Sequence, residues 1–217
     1  MRQFFKNNGL SIVFALMFFL SLWGQALTGW TEHNQEMREM GGTQISFSKY
    51  LTSGHFLQAT FENWESEFLQ MALFVVLTIF LYQKGSAESK DPEGKDPVDK
   101  EPNPRKKDGP WPVRQGGWIL AVYKHSLSIA LFLLFVLSFI AHWYGSLKDY
   151  NEEELLKGGV RLTAWEYLGN PRFWFESFQN WQSEFLSVLA IVLLSIFLRQ
   201  KGSAQSKPVD EKNSETA

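Results

Sequence analysis

Two glutamates, Glu67 and Glu184, are the residues of this sequence with the clearest potential for chemistry. Each stands near the start of an apolar run, and a lysine, Lys84 or Lys201, follows after the run. In a helix with that lysine at the inner membrane surface, each carboxylate lies about 25 Å away, near the outer edge of the hydrocarbon. Acids at that depth either anchor a helix at the interface or bind a cation or proton. We predict anchors, with a cation- or proton-binding pair as the alternative.

Asn63 and Asn180 precede these glutamates by four residues. Side chains four residues apart share one face of a helix. The spacing therefore predicts a small polar cluster of Asn63, Glu67, Asn180 and Glu184. A local structural network is the preferred interpretation, and a substrate or ion site is the alternative.

The pairing of these residues reflects a duplication of the chain. Residues 10–90 align with 127–207 without a gap, with about 33 identities in about 80 positions. The best-matched blocks are FENWESEFL (61–69) with FQNWQSEFL (178–186), and QKGSA (83–87) with QKGSA (200–204). Glu67 and Glu184 are therefore equivalent positions of two copies.

Each copy contains two apolar runs, so the chain has four candidate membrane spans. A spanning helix needs about 20 residues, and we place the spans at about 10–30, 64–82, 121–143 and 181–198. Aromatic and basic residues favour the ends of a span, so we interpret four residues as interface anchors: Trp64, Trp181, Lys84 and Lys201. The sequence predicts an all-α polytopic membrane protein built of two repeated helical hairpins.

The chain is predicted to consist of two repeats, a linker and a tail. The first repeat covers 1–85 and the second covers 116–202. The segment 86–115 holds six of the eight prolines among alternating acids and bases, which is typical of a disordered linker. The segment 203–217 is also rich in polar and charged residues, and it is predicted to be a disordered tail.

The positive charges predict the orientation. With four spans, the termini and the linker lie on one side, which carries about 15 of the 21 lysines and arginines. The positive-inside rule makes that side cytoplasmic.

Helix starts are also visible in the second span of each copy. Asn170-Pro171 combines a capping residue with a proline suited to the first turn, and Ser53-Gly54 stands at the equivalent place. Gly85 and Gly202, each after a lysine, are candidate stops. These signals predict two helices of about 30 residues.

Several function classes are disfavoured. The chain has no cysteine, so it can form neither a disulfide nor a cysteine-ligated zinc site, and its net charge of −2 gives no support for nucleic-acid binding. The histidines, His33, His55, His125 and His142, lack HxxxH and HExxH spacing. A metal site would have to be assembled from distant segments. We predict no metal, no cofactor and no enzymatic activity.

The repeated F-x-N-W-x-S-E-F-L and Q-K-G-S-A blocks resemble those of a family of uncharacterised bacterial four-span membrane proteins with a domain of unknown function. The resemblance covers most of the chain outside the linker and tail, and it implies a bacterial inner-membrane protein without an assigned activity. We predict a non-enzymatic envelope or scaffold protein. Its predicted contacts are the lipid bilayer and either a second copy of the chain or another membrane protein. The alternative is a small transporter or channel that uses Glu67 and Glu184.

Overall fold

The computed structural model describes residues 2–94, 96–104 and 108–216. Within these ranges the regular elements are all helices, and no strand occurs. The predicted all-α class is confirmed. The helices are α1 (Arg2–Glu39), α2 (Phe47–Tyr50), α3 (Gly54–Leu77), a short 3₁₀ helix (Pro97–Asp99), α4 (Trp111–Gln115), α5 (Gly117–Lys124), α6 (Ser126–Leu156), α7 (Ala164–Tyr167) and α8 (Pro171–Phe197).

Three of these helices, α1, α6 and α8, are long and apolar enough to cross a membrane. In their most apolar stretches only 6%, 17% and 6% of the residues, respectively, are buried within the protein. Soluble proteins do not leave apolar surfaces of that length in water. Lipid is the solvent that suits these surfaces, and the helices indicate a multi-pass membrane protein.

The fourth predicted span falls on α3, which is not among these three helices. The middle of α3 carries Glu62, Glu65 and Glu67, whereas α8 has glutamines, Gln179 and Gln182, at the positions equivalent to the first two. The α3 helix also ends at Leu77, and the apolar residues that follow form a turn.

The predicted span at 121–143 covers parts of two helices. α5 ends at Lys124, and α6 begins at Ser126. His125, between them, has φ −113° and ψ 9°, outside the helical region. The long helix of this span therefore starts about five residues later than the sequence predicted.

The predicted starts of α3 and α8 are confirmed. The Ser53 hydroxyl accepts a hydrogen bond from the Phe56 amide at 3.1 Å, and Asn170 Oδ1 accepts one from the Arg172 amide at 2.9 Å. Each side chain satisfies an amide that the first helical turn leaves without a main-chain partner.

Glycines end α1 and α6 in the same way. Gly41 has φ 76° and Gly158 has φ 75°, a left-handed conformation that glycine adopts without strain. The next amide reaches back to the helix in both copies: Gly42 donates to Met37 O and Gly159 to Glu154 O, each at 2.7 Å. The duplication therefore extends to the backbone geometry of these turns.

The residues fall into two compact units. Unit 1 comprises Met1–Glu62 and Phe139–Trp174, and unit 2 comprises Asn63–Ser138 and Phe175–Ala217. The buried apolar residues of unit 1 are Ala26, Met37, Tyr50, Tyr167 and Phe173, and those of unit 2 are Ala72 and Leu131. The predicted boundaries, with a linker at 86–115 and a tail at 203–217, stay predictions. Positions 95, 105–107 and 217 of these segments lie outside the described residues.

Within unit 1, α6 and α3 approach closely at Gly145. A methyl group added there would lie 2.5 Å from Gln58 N and 2.8 Å from Leu57 Cβ. Gly54, at the start of α3, similarly faces the backbone of Asp149. Glycine at these positions lets the two helix backbones come together.

Candidate functional site

Glu67 and Glu184 lie side by side in unit 2. Glu67 is on α3 and Glu184 on α8, and their carboxyl groups are close enough to interact. An ionised carboxylate only accepts hydrogen bonds, so a bond between the two requires that one of them carry a proton. The binding of a proton or a small cation by this pair stays a prediction, as does its role as an interface anchor.

The asparagines make main-chain contacts within their own helices. Asn180 Nδ2 donates to Glu176 O, one turn earlier, at 3.0 Å. The main-chain oxygen of Asn63 accepts from the Ser66 hydroxyl at 2.8 Å. The local network predicted for the asparagines and the two glutamates stays a prediction. A role for either asparagine in ion binding stays a prediction.

Glu65 is a partner that sequence reasoning missed. Its side chain is 0% exposed, and its Oε1 accepts a hydrogen bond from Trp181 Nε1 at 2.9 Å. Trp181 was predicted as an interface anchor, and the structure gives its indole this specific acceptor. The only sequence signal was that Glu65 replaces the glutamine found at the equivalent position, Gln182.

A third α3 glutamate has a partner in unit 1. Glu62 Oε2 lies 4.0 Å from Nε2 of the buried His142. Glu62, Glu65 and Glu67, spaced along one helix, thus each face a polar group. The histidine and indole partners of Glu62 and Glu65 reduce the cost of placing these acids in an apolar surrounding.

Lys84 and Lys201, the predicted basic anchors, stand in two copies of one turn. Gln83 N donates to the Ser89 hydroxyl at 2.8 Å, and Gln200 N donates to the Ser206 hydroxyl, also at 2.8 Å. Both lysines are exposed, and Lys84 pairs with Glu93 at 3.3 Å. Trp64, the remaining predicted anchor, is half-buried. Anchoring at a lipid interface stays a prediction for all four residues.

Lys207, which directly follows the turn between Gln200 and Ser206, is buried. Lys207 Nζ donates to the main-chain oxygens of Lys212, Asn213 and Glu215 at 3.2, 3.3 and 2.7 Å. Burial lowers the pKa of its ammonium group from the usual value. Three carbonyl groups thus replace the water that would solvate this ammonium.

An asparagine clamp recurs in the polar segments of unit 1. Asn34 donates to Ile45 O at 3.0 Å and accepts from Ile45 N at 2.7 Å. Asn151 does the same with Leu162, at 2.9 and 2.8 Å. One side chain therefore holds both polar groups of a residue 11 positions later, and it fixes the loop after α1 or α6.

The second copy adds an ionic cluster in unit 1. Arg172 pairs with Asp149 at 2.7 Å and with Glu153 at 2.9 Å. Beside it, the Tyr167 and Ser146 hydroxyls lie 2.6 Å apart and are both buried. These contacts fix α7 and the start of α8 against α6.

The first copy places two histidines at the equivalent location in unit 1. The rings of His33 and His55 lie 5.1 Å apart, and Glu36 joins them closely enough for all three to hold one ion. His33 is 1% exposed, and its Nε2 has no hydrogen-bond partner. His55 Nδ1 lies 3.0 Å from the Tyr50 hydroxyl. Burial raises the pKa of Tyr50 to about 12, with the Glu32 carboxylate adding to it, so Tyr50 stays a neutral phenol.

An apolar groove of about 300 Å³ lies between α3 and α8 in unit 2. Its lining includes Phe74, Leu77, Phe185, Leu189 and Val192 but neither Glu67 nor Glu184. The carboxyl pair therefore does not line this groove.

The family of the chain follows from a comparison with family models. The model of DUF6766, a domain of unknown function, matches residues 1–217. The chain belongs to the DUF6766 family. No curated protein and no solved structure matches this DUF6766 chain. The family membership confirms the predicted domain of unknown function, and it assigns no activity to the carboxyl pair or to the histidine cluster.

Proposed function

We propose that this DUF6766 protein is a four-span protein of the bacterial inner membrane, with both termini and the linker in the cytoplasm. Its proposed role is non-enzymatic. Two rigid polar segments outside the membrane form a platform that contacts a partner protein, a second copy or lipid headgroups. The repeated asparagine clamp carries this proposal, because it gives both segments a fixed and equivalent geometry.

The contacts within unit 1 support the fourth span. Lys148 Nζ donates to Thr52 O at 2.5 Å, so the outer ends of the two copies touch. If α1 and α6 both cross the membrane toward these ends, the chain between them has to return to the other surface. The α3 helix, with the apolar residues up to Tyr82, is the segment suited to that return. The polar partners of Glu62 and Glu65 lower the cost of insertion.

The platform also exposes apolar groups that a partner can cover. Val160 is 81% exposed and Trp165 is 79% exposed, both on the polar segment of the second copy. Trp165 belongs to α7, whose start is fixed by hydrogen bonds between Thr163 and Glu166. A rigidly presented aromatic residue is a common anchor of protein interfaces.

Cysteine labelling in intact cells tests the topology, because the chain has no cysteine of its own. Four single replacements, Thr43→Cys, Val160→Cys, Val98→Cys and Ser214→Cys, probe the two polar segments, the linker and the tail. A membrane-impermeant maleimide is expected to label positions 43 and 160 in intact cells, and positions 98 and 214 only after permeabilisation. A three-span chain would instead expose position 98 and hide position 160, which would refute the proposed topology.

Complementation tests the platform. In a deletion strain with an envelope-stress phenotype, Trp165→Glu and Val160→Glu are expected to abolish rescue at normal membrane abundance. Val98→Glu, a matched change at an exposed linker residue, is expected to rescue fully. Full rescue by all three variants would contradict the proposal.

Cation or proton transport is the second candidate, and the contact between Glu67 and Glu184 favours it. The purified protein in liposomes, loaded with a pH dye or a sodium indicator, would then show flux that the double variant Glu67→Gln/Glu184→Gln abolishes. Glu39→Gln, a change at an exposed residue, serves as the control. A parent protein without flux, or a double variant with unchanged flux, would refute transport by this pair and leave the platform as the one proposed role.

A further inference from the structure

We propose that His33, Glu36 and His55 bind a divalent transition-metal ion, with Zn²⁺ as the best fit, at the end of α1. This site is independent of the proposed platform and transport roles. It would tie α1 to the start of α3 within unit 1.

The three side chains come from two helices that the fold brings together. His33 and Glu36 are three residues apart on α1 and so share a face, and His55 is the second residue of α3. The candidate ligand atoms all lie within 4.8 Å of one another. Small side-chain rotations bring two imidazole nitrogens and a carboxylate oxygen to the distance of about 2.0–2.2 Å that Zn²⁺ requires.

His33 supplies the observation that points to a ligand. Its side chain is almost completely buried, and Nε2 has no hydrogen-bond partner. Buried polar nitrogens without a partner are rare in folded proteins, and each calls for an explanation. A metal ion bound at Nε2 satisfies this nitrogen.

Tyr50 orients the second imidazole. Its hydroxyl lies 3.0 Å from His55 Nδ1, so Nε2 is the nitrogen left for an ion. Metal-bound histidines usually donate their other N–H to an oxygen, which fixes the tautomer and the ring direction. The buried Tyr50 hydroxyl provides such an oxygen.

The site is open to solvent on the side of Glu36. Glu36 is exposed, so water can reach the ion. Two histidines, one glutamate and one water make the open tetrahedral set found in catalytic zinc sites.

The second copy shows what occupies the same location when the histidines are absent. Tyr150, Glu153 and Arg172 are the equivalents of His33, Glu36 and His55. There, Arg172 Nη1 donates to Glu153 Oε1 at 2.9 Å, so a guanidinium brings positive charge to the glutamate. In the first copy, a bound cation would bring the corresponding charge to Glu36.

The test uses the full chain in detergent micelles, stripped with a chelator and titrated with Zn²⁺ against a chromophoric competitor. One ion is expected to bind with a Kd of about 1 μM or tighter, and Co²⁺ is expected to give the intense visible bands of a tetrahedral site. His33→Ala and His55→Ala should each weaken binding at least about 10-fold, and Tyr50→Phe about 10- to 100-fold. His125→Ala, which changes a histidine outside unit 1, should leave the affinity unchanged.

Several results would overturn the proposal. A parent that does not compete for Zn²⁺ would do so, as would parental affinity in folded His33→Ala and His55→Ala. If His142→Ala loses binding while His33→Ala and His55→Ala retain it, the ion binds at another site and the proposal is wrong. If the alanine variants do not fold, X-ray absorption of the zinc-loaded parent decides: imidazole scattering supports the site, and a shell of oxygen alone refutes it.

Discussion

Trp181 Nε1 donates a hydrogen bond to the Glu65 carboxyl at 2.9 Å, and this carboxyl is completely buried. The second copy carries Gln182 at the position equivalent to Glu65, and the first copy carries Trp64 at the position equivalent to Trp181. The bond therefore joins non-equivalent positions of two similar helices, and it distinguishes the copies.

Removing the indole donor should destabilise the protein. Trp181→Phe keeps an aromatic ring but takes a donor away from a buried acceptor, and we expect a loss of about 1–3 kcal/mol in the free energy of unfolding. Titration with denaturant in mixed micelles, followed by tryptophan fluorescence, measures it. Trp118→Phe, at a residue that is 76% exposed, should change the stability little. An equal effect of both changes would show that the hydrogen bond contributes nothing.

Gly145 should not tolerate a methyl group. Alanine favours a helix over glycine by about 0.5–1 kcal/mol, but the added Cβ at position 145 would lie 2.5 Å from Gln58 N. Overpacking usually costs about 1–3 kcal/mol, so Gly145→Ala is expected to lower the unfolding free energy. Gly24→Ala has no neighbour within 4 Å and is expected to be neutral or stabilising. A thermal melt of both variants is the measurement, and a Gly145→Ala variant as stable as the parent would contradict the close approach.

The asparagine clamps should differ in their sensitivity to alanine. Ile45 O also accepts from Trp30 Nε1 at 2.8 Å, so Asn34→Ala leaves this oxygen with a partner. Asn151→Ala takes away the clamp on both polar groups of Leu162, and we expect the larger loss there, about 1–3 kcal/mol for two bonds. Amide exchange at Ile45 and Leu162 measures the local opening. Gln35→Ala, at an exposed residue, is the control, and faster opening in Asn34→Ala than in Asn151→Ala would go against this account.

Glu166 should make the start of α7 sensitive to acid. Its carboxylate accepts from the Thr163 amide at 2.8 Å and from the Thr163 hydroxyl at 2.7 Å. These two bonds hold the pKa of Glu166 below its usual value, and the bond from the Thr163 amide has the larger effect. The stabilisation by these bonds is therefore complete above the ordinary pKa of 4.5, which applies to the unfolded chain, and it is lost as the pH falls through the lower pKa of the folded protein.

A carboxyl ¹³C titration by NMR measures this pKa directly. Thr163→Val retains the main-chain bond but loses the hydroxyl, so it should raise the pKa of Glu166 part of the way back. A parent value equal to that of a free glutamate would exclude the bonds in solution.

The duplication is what made much of the molecule predictable. The helical class could be predicted from the apolar runs. The caps at Ser53 and Asn170 could be predicted because they depend only on residues next to each other in the chain. Glu67 and Glu184 could be paired from the sequence because they are equivalent positions in the two copies. Their role, however, depends on depth and access to water, which no residue pattern encodes.

Other features could not be predicted from the sequence because they depend on how the helices pack. The break at His125 has neither glycine nor proline at that residue, and α3 ends at Leu77, well before its predicted stop at Gly85. His33 and His55 are 22 positions apart and meet only because the loop after α1 and α2 returns the chain to α1. Their spacing therefore resembled no metal motif, although His33 and Glu36 share a helix face.

The buried lysine near the end of the chain has a consequence for chemical footprinting. Amine-reactive reagents need an accessible, deprotonated amine. The Lys207 amine is enclosed by three carbonyl groups, whereas the nearby Lys201 and Lys212 are open to solvent. Among these three amines, Lys207 should be acylated last, and its modification would report that the ring of backbone around it has opened.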